Sequence, residues 1–182
     1  MKRGTYQSLG FLAVSLLLAL LIYQWQPIIY GNSPREILGY LYQEEGLRLG
    51  DHVELLAVED VGADRFAMFR LETKRPDEIW IVRFQKDENE NYVSHPLWRP
   101  QSMYSAGEEI FSWYFSGRKA GEDTCYLIWS RNPELSEIRY RLNQEPEQVV
   151  EVTENPSFTL LWLPYGGCSL STVYLDAYGE EL

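Results

Sequence analysis

The chain is poor in the residues that most often build metal centres and disulfide frameworks. Its 182 residues include two cysteines and two histidines, and the histidines, His52 and His95, are far apart in sequence. Neither a zinc motif nor a cysteine-rich secreted scaffold fits this content. The sequence also lacks a glycine-rich phosphate loop and a Gly-x-Ser-x-Gly nucleophile turn. We therefore expect no metal, no cofactor and no catalytic residue.

Basic residues are scarce as well. There are 16 lysines and arginines against 27 aspartates and glutamates, and Lys2 and Arg3 are the only charged residues before Arg35. Residues 31–182 consequently carry a net charge of −13. A surface of this charge is repelled by phosphate backbones and by anionic lipid headgroups. We expect no nucleic-acid partner.

What the sequence does contain is one long apolar run near its start. Residues 9–26 have no charged side chain and are rich in aliphatic helix formers. A helix of this length measures about 27 Å, close to the hydrocarbon thickness of a bilayer. Tyr23, Trp25 and Tyr30 follow near its far end, where aromatic rings prefer the membrane interface. We predict an N-terminal transmembrane signal-anchor over residues 1–30, embedded through residues 9–26.

The alternative to a permanent anchor is a cleavable signal peptide. Such a peptide needs small residues after the apolar run, whereas the stretch from Ile22 to Tyr30 is dominated by bulky side chains, which favours retention. Lys2 and Arg3 precede the helix and the acidic residues follow it. The positive-inside rule therefore predicts a single-pass cell-membrane protein with a cytoplasmic N-terminus and its C-terminal domain outside.

The remainder of the chain is predicted to form one short helix followed by strands. Residues 33–36 (SPRE) fit a capping box with proline at the first helical position, which predicts an amphipathic helix over residues 34–45. Beyond residue 50 the hydrophobic period becomes two, and turn residues recur regularly. We predict strands over residues 53–59, 65–71, 78–85, 92–98, 109–115, 124–130, 137–142, 148–152, 158–163 and 172–178.

These elements predict a mainly β (α+β) fold class. Nine or ten short antiparallel strands separated by turns are typical of a β-sandwich or a small barrel. We therefore expect residues 31–182 to form one extracytoplasmic β domain, with the helix leading into an antiparallel meander.

The order of elements resembles a known class of envelope proteins. In order, the chain has a predicted anchor, a capped helix, a strand pair and residues 132–138 (NPELSEI), which lead into a later strand. This order is similar to that of the uncharacterised membrane-anchored or lipoprotein-type extracytoplasmic proteins of Gram-positive bacteria. The likeness covers most of residues 33–178 through its pattern and this one motif. It implies an extracytoplasmic β domain and carries no known activity.

The two cysteines allow two interpretations. Cys125 lies in a predicted strand and Cys168 in the loop before the last one. The compartment outside the cell permits oxidation, so Cys125 and Cys168 are candidates for a disulfide. The alternative is two separate thiols that act as small hydrophobic residues.

A thiol nucleophile is the sharpest enzymatic hypothesis. Residues 122–125 (EDTC) follow the residue order of sortases, which are membrane-anchored β-barrels. His52 or His95 lies upstream, and Arg131, Arg139 or Arg141 lies downstream. The first threonine of the sortase motif is replaced by glutamate here. Two acids beside the cysteine also disfavour a thiolate, so the sequence argues against this activity.

An aromatic strand supplies the candidate interaction surface. Phe111, Trp113 and Phe115 alternate with Ser112 and Tyr114, so this apolar set and Tyr114 face opposite sides of a strand. If Phe111, Trp113 and Phe115 face outward, they form a patch that marks a partner surface. The alternative is a sheet covered on both sides.

These features together predict a non-enzymatic function. We expect a membrane-tethered interaction or accessory module that contacts an envelope protein through its β surface. A small-molecule or peptide-binding domain is the alternative, and it requires a concave pocket.

Overall fold

A computed structural model of the protein describes residues 14–15, 30–44, 51–94, 99–115, 124–164 and 168–182. These residues form helix α1, Pro34–Glu44, and twelve strands. The strands are β1 Val53–Val61, β2 Asp64–Leu71, β3 Arg75–Lys86, β4 Tyr92–Ser94, β5 Gln101–Ser102, β6 Tyr104–Gly107, β7 Ile110–Phe115, β8 Thr124–Ser130, β9 Glu137–Leu142, β10 Gln148–Glu151, β11 Ser157–Leu163 and β12 Leu170–Leu175.

Helix α1 begins at the predicted capping box. The Glu36 backbone N–H donates to Ser33 Oγ at 3.3 Å, and the Glu36 carboxylate accepts from the Asn32 backbone N–H at 2.9 Å. Two of the N–H groups that a helix start leaves unpaired are satisfied in this way. The helix buries Ile37, Tyr40 and Leu41 on one face. The predicted amphipathic helix is confirmed.

The strands form three antiparallel sheets. Sheet A has the order β1-β2-β3-β4, with β5 also paired to β3. Sheet B has the order β11-β8-β7-β6, and sheet C has the order β10-β9-β12. Neighbouring strands in sequence pair as hairpins from β1 to β4, as the predicted meander requires.

The helix and the three sheets stack as four layers. Ala67 and Phe69 of β2 pack against α1, whereas Phe66 and Met68 pack against sheet B. Sheet B in turn presents Ile128 to sheet C. Both faces of sheets A and B are therefore covered. Because successive strand residues point to opposite faces, apolar side chains occupy consecutive positions in these strands.

The mainly β, antiparallel architecture agrees with the sequence prediction, and the sheets do not close into a barrel over the described residues. The short strands β5 and β6 were not predicted. The predicted strand 172–178 is displaced, because the chain turns at residues 176–179 and β12 covers Leu170–Leu175. The second half of the predicted strand 92–98 lies outside the described residues.

The predicted anchor falls almost entirely outside the described residues. Of residues 9–26 the structure describes Val14 and Ser15, which are helical. Within the part of the chain that is described, no helix combines the length and the apolarity that crossing a bilayer requires.

Gly31 provides a test of how the residues that precede α1 pack against sheet A. A methyl group at this position would lie 2.6 Å from the Phe84 ring, which is closer than packed carbon atoms approach. We expect Gly31→Ala to lower the free energy of unfolding by about 1–3 kcal/mol. Urea unfolding of the full-length protein in detergent measures this change.

Gly39 is the matched control, because nothing lies within 4 Å of an added methyl group on this exposed helix position. Gly39→Ala should stabilise the protein by up to about 1 kcal/mol through helix propensity. Equal effects of the two substitutions would contradict the close packing of residue 31 on Phe84.

Candidate functional site

The two cysteines lie on opposite faces of sheet B. Cys125 of β8 is buried in the apolar layer between sheets A and B. Cys168 is half-buried and packs with the cluster between sheets B and C. Both are free thiols. The sheet that separates them explains why the candidate disulfide is not formed.

Cys125 does not have the surroundings of a nucleophile. Burial raises the pKa of its thiol to about 12, and the nearby Arg83 lowers that pKa by less. A reactive cysteine needs a depressed pKa and access to substrate. His52 is exposed, ahead of β1, and His95 lies outside the described residues. The sortase-like arrangement is not assembled around Cys125 by the described residues.

Phe111, Trp113 and Phe115 face sheet A. Phe115 is buried against Phe66, with ring centroids 5.2 Å apart, and the other two side chains are half-buried in the same layer. Tyr114 points to the opposite face and is 45% exposed. This aromatic set therefore contributes to the core between sheets A and B and does not form an outward patch.

A concave surface lies instead where the layers end. We call its first part the acidic pocket, a depression of about 390 Å³ lined by residues 133–136, 152–155 and 176–178. Its second part, the tryptophan pocket, has about 430 Å³ and is lined by residues 54–56, Trp129, Arg131, Asn155 and Pro156. Asn155 lines both, so the two pockets are neighbours, and we refer to them together as the groove.

The loop between β8 and β9 is fixed by the side chain of Asn132. Its Oδ1 accepts from the Glu134 backbone N–H at 2.8 Å, and its Nδ2 donates to the Glu108 carbonyl at 3.0 Å. A short asparagine side chain commonly organises a turn in this way. Ser136 then joins the three segments of the acidic pocket, because its N–H donates to Leu175 and its carbonyl accepts from Val152.

A tight turn after β12 forms the third wall of the acidic pocket. Asp176 Oδ1 accepts from the backbone N–H groups of Tyr178 and Glu180, both at 2.8 Å. Gly179 adopts a φ of 81°, which a residue with a side chain rarely adopts. The turn leaves the Tyr178 side chain 91% exposed at the rim of the groove.

The acidic pocket is lined by three carboxylates and by no lysine or arginine. These are Glu134, Glu154 and Asp176. Within the described part of the chain, neither Glu134 nor Glu154 forms a salt bridge. Among the described residues, no group of three or more His, Cys, Asp or Glu side chains could hold a metal ion.

The negative charge of this pocket extends to β1. Burial, followed by the charges of Asp60 and Glu154, raises the pKa of Glu59 above its ordinary value. Nearby like charges disfavour the ionised form of a carboxyl group. The carboxylates of Glu59 and Glu154 therefore repel each other, and both contribute negative charge beside the groove.

The tryptophan pocket is lined in part by the buried residue Trp129. Trp129 is 1% exposed, and its Nε1, like that of Trp80, is shielded from solvent and has no hydrogen-bond partner among the described residues. Buried polar groups in proteins nearly always have a partner. The rest of the lining includes the apolar Leu55, Leu56 and Pro156, and a bulge in β1 between Leu55 and Ala57 displaces Leu56 from the regular pairing.

The tryptophan pocket has nearly balanced charge. The Glu54 carboxylate pairs with Arg70 at 2.5 Å, and the Arg131 guanidinium lies 3.6 Å from Glu109. Its two ionic lining residues thus each have a counter-ion. Chemically, the acidic pocket attracts cations, and the tryptophan pocket combines paired charges with the apolar side chains of Leu55, Leu56 and Pro156.

No motif in the sequence indicates this groove. Residues 132–138 indicate only a step into a later strand. The groove exists because β1, β8 and the loop at residue 155 meet in space. Nothing in the local pattern of these segments indicates that meeting.

No family model, no curated protein and no solved structure matches the chain.

Glu59 allows a test of the negative field. Its raised pKa means that the folded state binds the proton of Glu59 more tightly than the unfolded state does. The contribution of this group to the free energy of unfolding therefore falls as the pH rises from the ordinary glutamate pKa through the raised one. Glu59→Gln should raise the free energy of unfolding near neutral pH by less than about 1 kcal/mol, because the side chain is only half-buried and solvent screens its charge.

Below the ordinary glutamate pKa of about 4 the carboxyl group is protonated in both states, so the gain should vanish. Urea unfolding at the two pH values measures it, with Glu88→Gln in the exposed turn after β3 as control. A gain that is independent of pH would show that the charge of Glu59 is not the cause.

Proposed function

We propose that this chain is a non-enzymatic, membrane-tethered extracytoplasmic module whose groove receives an extended segment of another envelope protein. The observation that carries the proposal is the pair of solvent-open depressions that share Asn155 in their lining, one of them bordered by Glu134, Glu154 and Asp176. An extended segment binds along such a surface through its backbone and alternate side chains.

The dimensions of the groove favour a segment over a compact ligand. Each pocket falls within the range of about 300–1,000 Å³ that is usual for binding sites. The two are neighbours that share Asn155, and both are open to solvent. An elongated chain fills both halves at once, whereas a small enclosed ligand would use one of them.

The proposed tether rests on the apolar run of residues 9–26 and on Lys2 and Arg3 before it. The first residues described after that run are joined to sheet A. Tyr30 forms a β-bridge with Val93, and the Gly31 N–H donates to the Tyr92 carbonyl at 2.6 Å. A short connection of this kind would hold the layers close to the membrane.

A photo-cross-linking amino acid at position 178 tests the proposal in the native membrane. Tyr178 is the exposed side chain at the rim of the groove. We expect one dominant envelope protein to be captured by the full-length chain, and mass spectrometry identifies it.

Position 88 serves as the matched control, since Glu88 is exposed and lines neither pocket. Capture of the same protein from both positions would contradict a role for the groove. The absence of any reproducible cross-link from position 178 would overturn the proposed function.

A further inference from the structure

The three sheets are open, and their outer strands differ in how their edges are protected. The outer strand of an open sheet carries unpaired backbone N–H and C=O groups, which can pair with a strand of another molecule. Proteins commonly block such an edge with charged side chains, a β-bulge, a very short strand or a covering segment. Within the described residues, each outer strand except β11 has at least one of these features.

In sheets A and B the blocked edges are those of β1, β4 and β6. Strand β1 has a bulge between Leu55 and Ala57 and carries three acidic side chains. Strand β4 has three residues, and Tyr30 forms a bridge to it at Val93. Strand β6 has four residues and a bulge in its pairing with β7. Each of these features hinders the addition of a further strand.

The two edges of sheet C are blocked as well. Strand β10 has four residues and ends in Glu151, whose charge disfavours a neighbouring strand. The edge of β12 is covered by the residues that follow it, because the Leu182 N–H donates to the Tyr174 carbonyl at 3.0 Å and Glu181 bridges to Leu175.

Strand β11 has none of these features. All seven of its residues, Ser157–Leu163, pair with β8 in one continuous register without a bulge. The strand contains no charged residue and no proline. Within the described part of the chain, no backbone hydrogen bond besides the pairing with β8 reaches residues 157–163. A regular, apolar edge of this kind is suited to pairing with a strand of another molecule.

The sequence of β11 is complementary to itself. An antiparallel pair centred on Leu160 places Phe158 opposite Trp162 of a second copy, and two-fold symmetry repeats this contact. Phe158 packs in the layer between sheets A and B, and Trp162 lies on the same face, opposite Cys125 of that layer. Trp162 is 53% exposed. Aromatic pairs across antiparallel strands are stabilising, so this register would cover an exposed ring.

The charge of the domain also favours β11 as the contact between two copies. Residues 31–182 are strongly acidic, so two copies repel each other over most of their surface. Strand β11 carries no charged side chain. Pairing it with itself therefore brings no carboxylate of one strand opposite a carboxylate of the other.

The symmetry of this pairing is compatible with the proposed tether. The two-fold axis between two antiparallel strands is perpendicular to their sheet, so each layer lies on the same side in both copies. Helix α1 packs on the face of sheet A that is turned away from sheet B. Both α1 helices, and residues 30–31 before them, therefore lie on one side of the joined sheet, as two chains anchored in one membrane require.

We propose that two copies of this chain associate through β11, which pairs antiparallel with β11 of the second copy around Leu160. The pairing joins two four-stranded sheets into one. This surface is separate from the groove, because Trp162 lines neither pocket. The inference thus adds a second copy of this chain as a partner to the proposed function.

A photo-cross-linking amino acid at position 162 of the full-length protein tests the contact in the native membrane. We expect a covalent dimer of this chain, and mass spectrometry should find the cross-link at β11 of the second copy, near Phe158. Position 149 is the matched control, because Val149 is also 53% exposed and lies in the outer strand β10. It should yield no dimer.

Sedimentation equilibrium of the full-length protein in non-ionic detergent measures the affinity between the two copies. Trp162→Lys should raise the dissociation constant of the dimer about tenfold, because the dimer loses two aromatic pairs and two charges enter the paired edge. Val149→Lys introduces the same charge at a position of equal exposure and should leave the dissociation constant unchanged.

A measurement on the unaltered protein covers the case in which Trp162→Lys does not fold. Pairing of two edges gives partners to the outward N–H groups of residues 157–163, so their hydrogen exchange should slow as the protein concentration rises through the dissociation constant. Exchange of these amides that is independent of concentration would refute the pairing.

Three other outcomes would overturn the inference. A dimer that is insensitive to Trp162→Lys would place the contact elsewhere on the chain. Capture of a different envelope protein from position 162, without a dimer, would assign the edge of β11 to that protein. A protein that is monomeric at all concentrations and gives no cross-link from position 162 would leave β11 unpaired. Cross-linking from position 178 tests the proposed function separately, so the two failures are distinguishable.

Discussion

The burial of sheets A and B on both faces is the constraint on which the other features depend. In β2 the consecutive residues Phe66, Ala67, Met68 and Phe69 are fully buried, since alternate positions face different layers. Each additional interface removes apolar area from water, at about 25 cal/mol per Å². The middle of each strand in these sheets is therefore occupied by packed apolar side chains. Polar side chains that could bind a ligand lie in loops and at sheet edges. The groove lies in such a region, where loops meet the ends of strands.

The guanidinium group of Arg65 joins residues 31–32, which precede α1, to sheet A. Arg65 forms a bidentate pair with Asp60 at 2.6 and 2.7 Å and donates to the carbonyls of Gly31 and Asn32 at 2.9 Å. It also lies 4.0 Å over the ring of Tyr92. Its hydrogen bonds to Asp60 are the main reason that the pKa of Asp60 is lowered. Charge-assisted contacts of this kind are directional, so they orient residues 31–32 relative to sheet A.

The groove combines features that would each be ordinary alone. Exposed carboxylates such as Glu134 and Glu154 are common in an acidic domain, and a buried tryptophan is common in a core. Their proximity, through Asn155, places a cation-attracting depression beside one with paired charges and apolar side chains.

The sequence by itself determined the local elements: the capped helix at Ser33, the hairpins from β1 to β4 and the mainly β class all follow from periodicity and turn chemistry, which act over a few residues. It did not determine which face of β7 is outward, because Phe111 and Tyr114 alternate in the same way whether one side of the sheet is covered or both. Only tertiary structure decided that Cys125 and Cys168 are separated by sheet B. It likewise brought Glu54, Trp129 and Asn155 into one groove, since contacts between segments distant in the chain depend on how the layers stack and not on any local pattern.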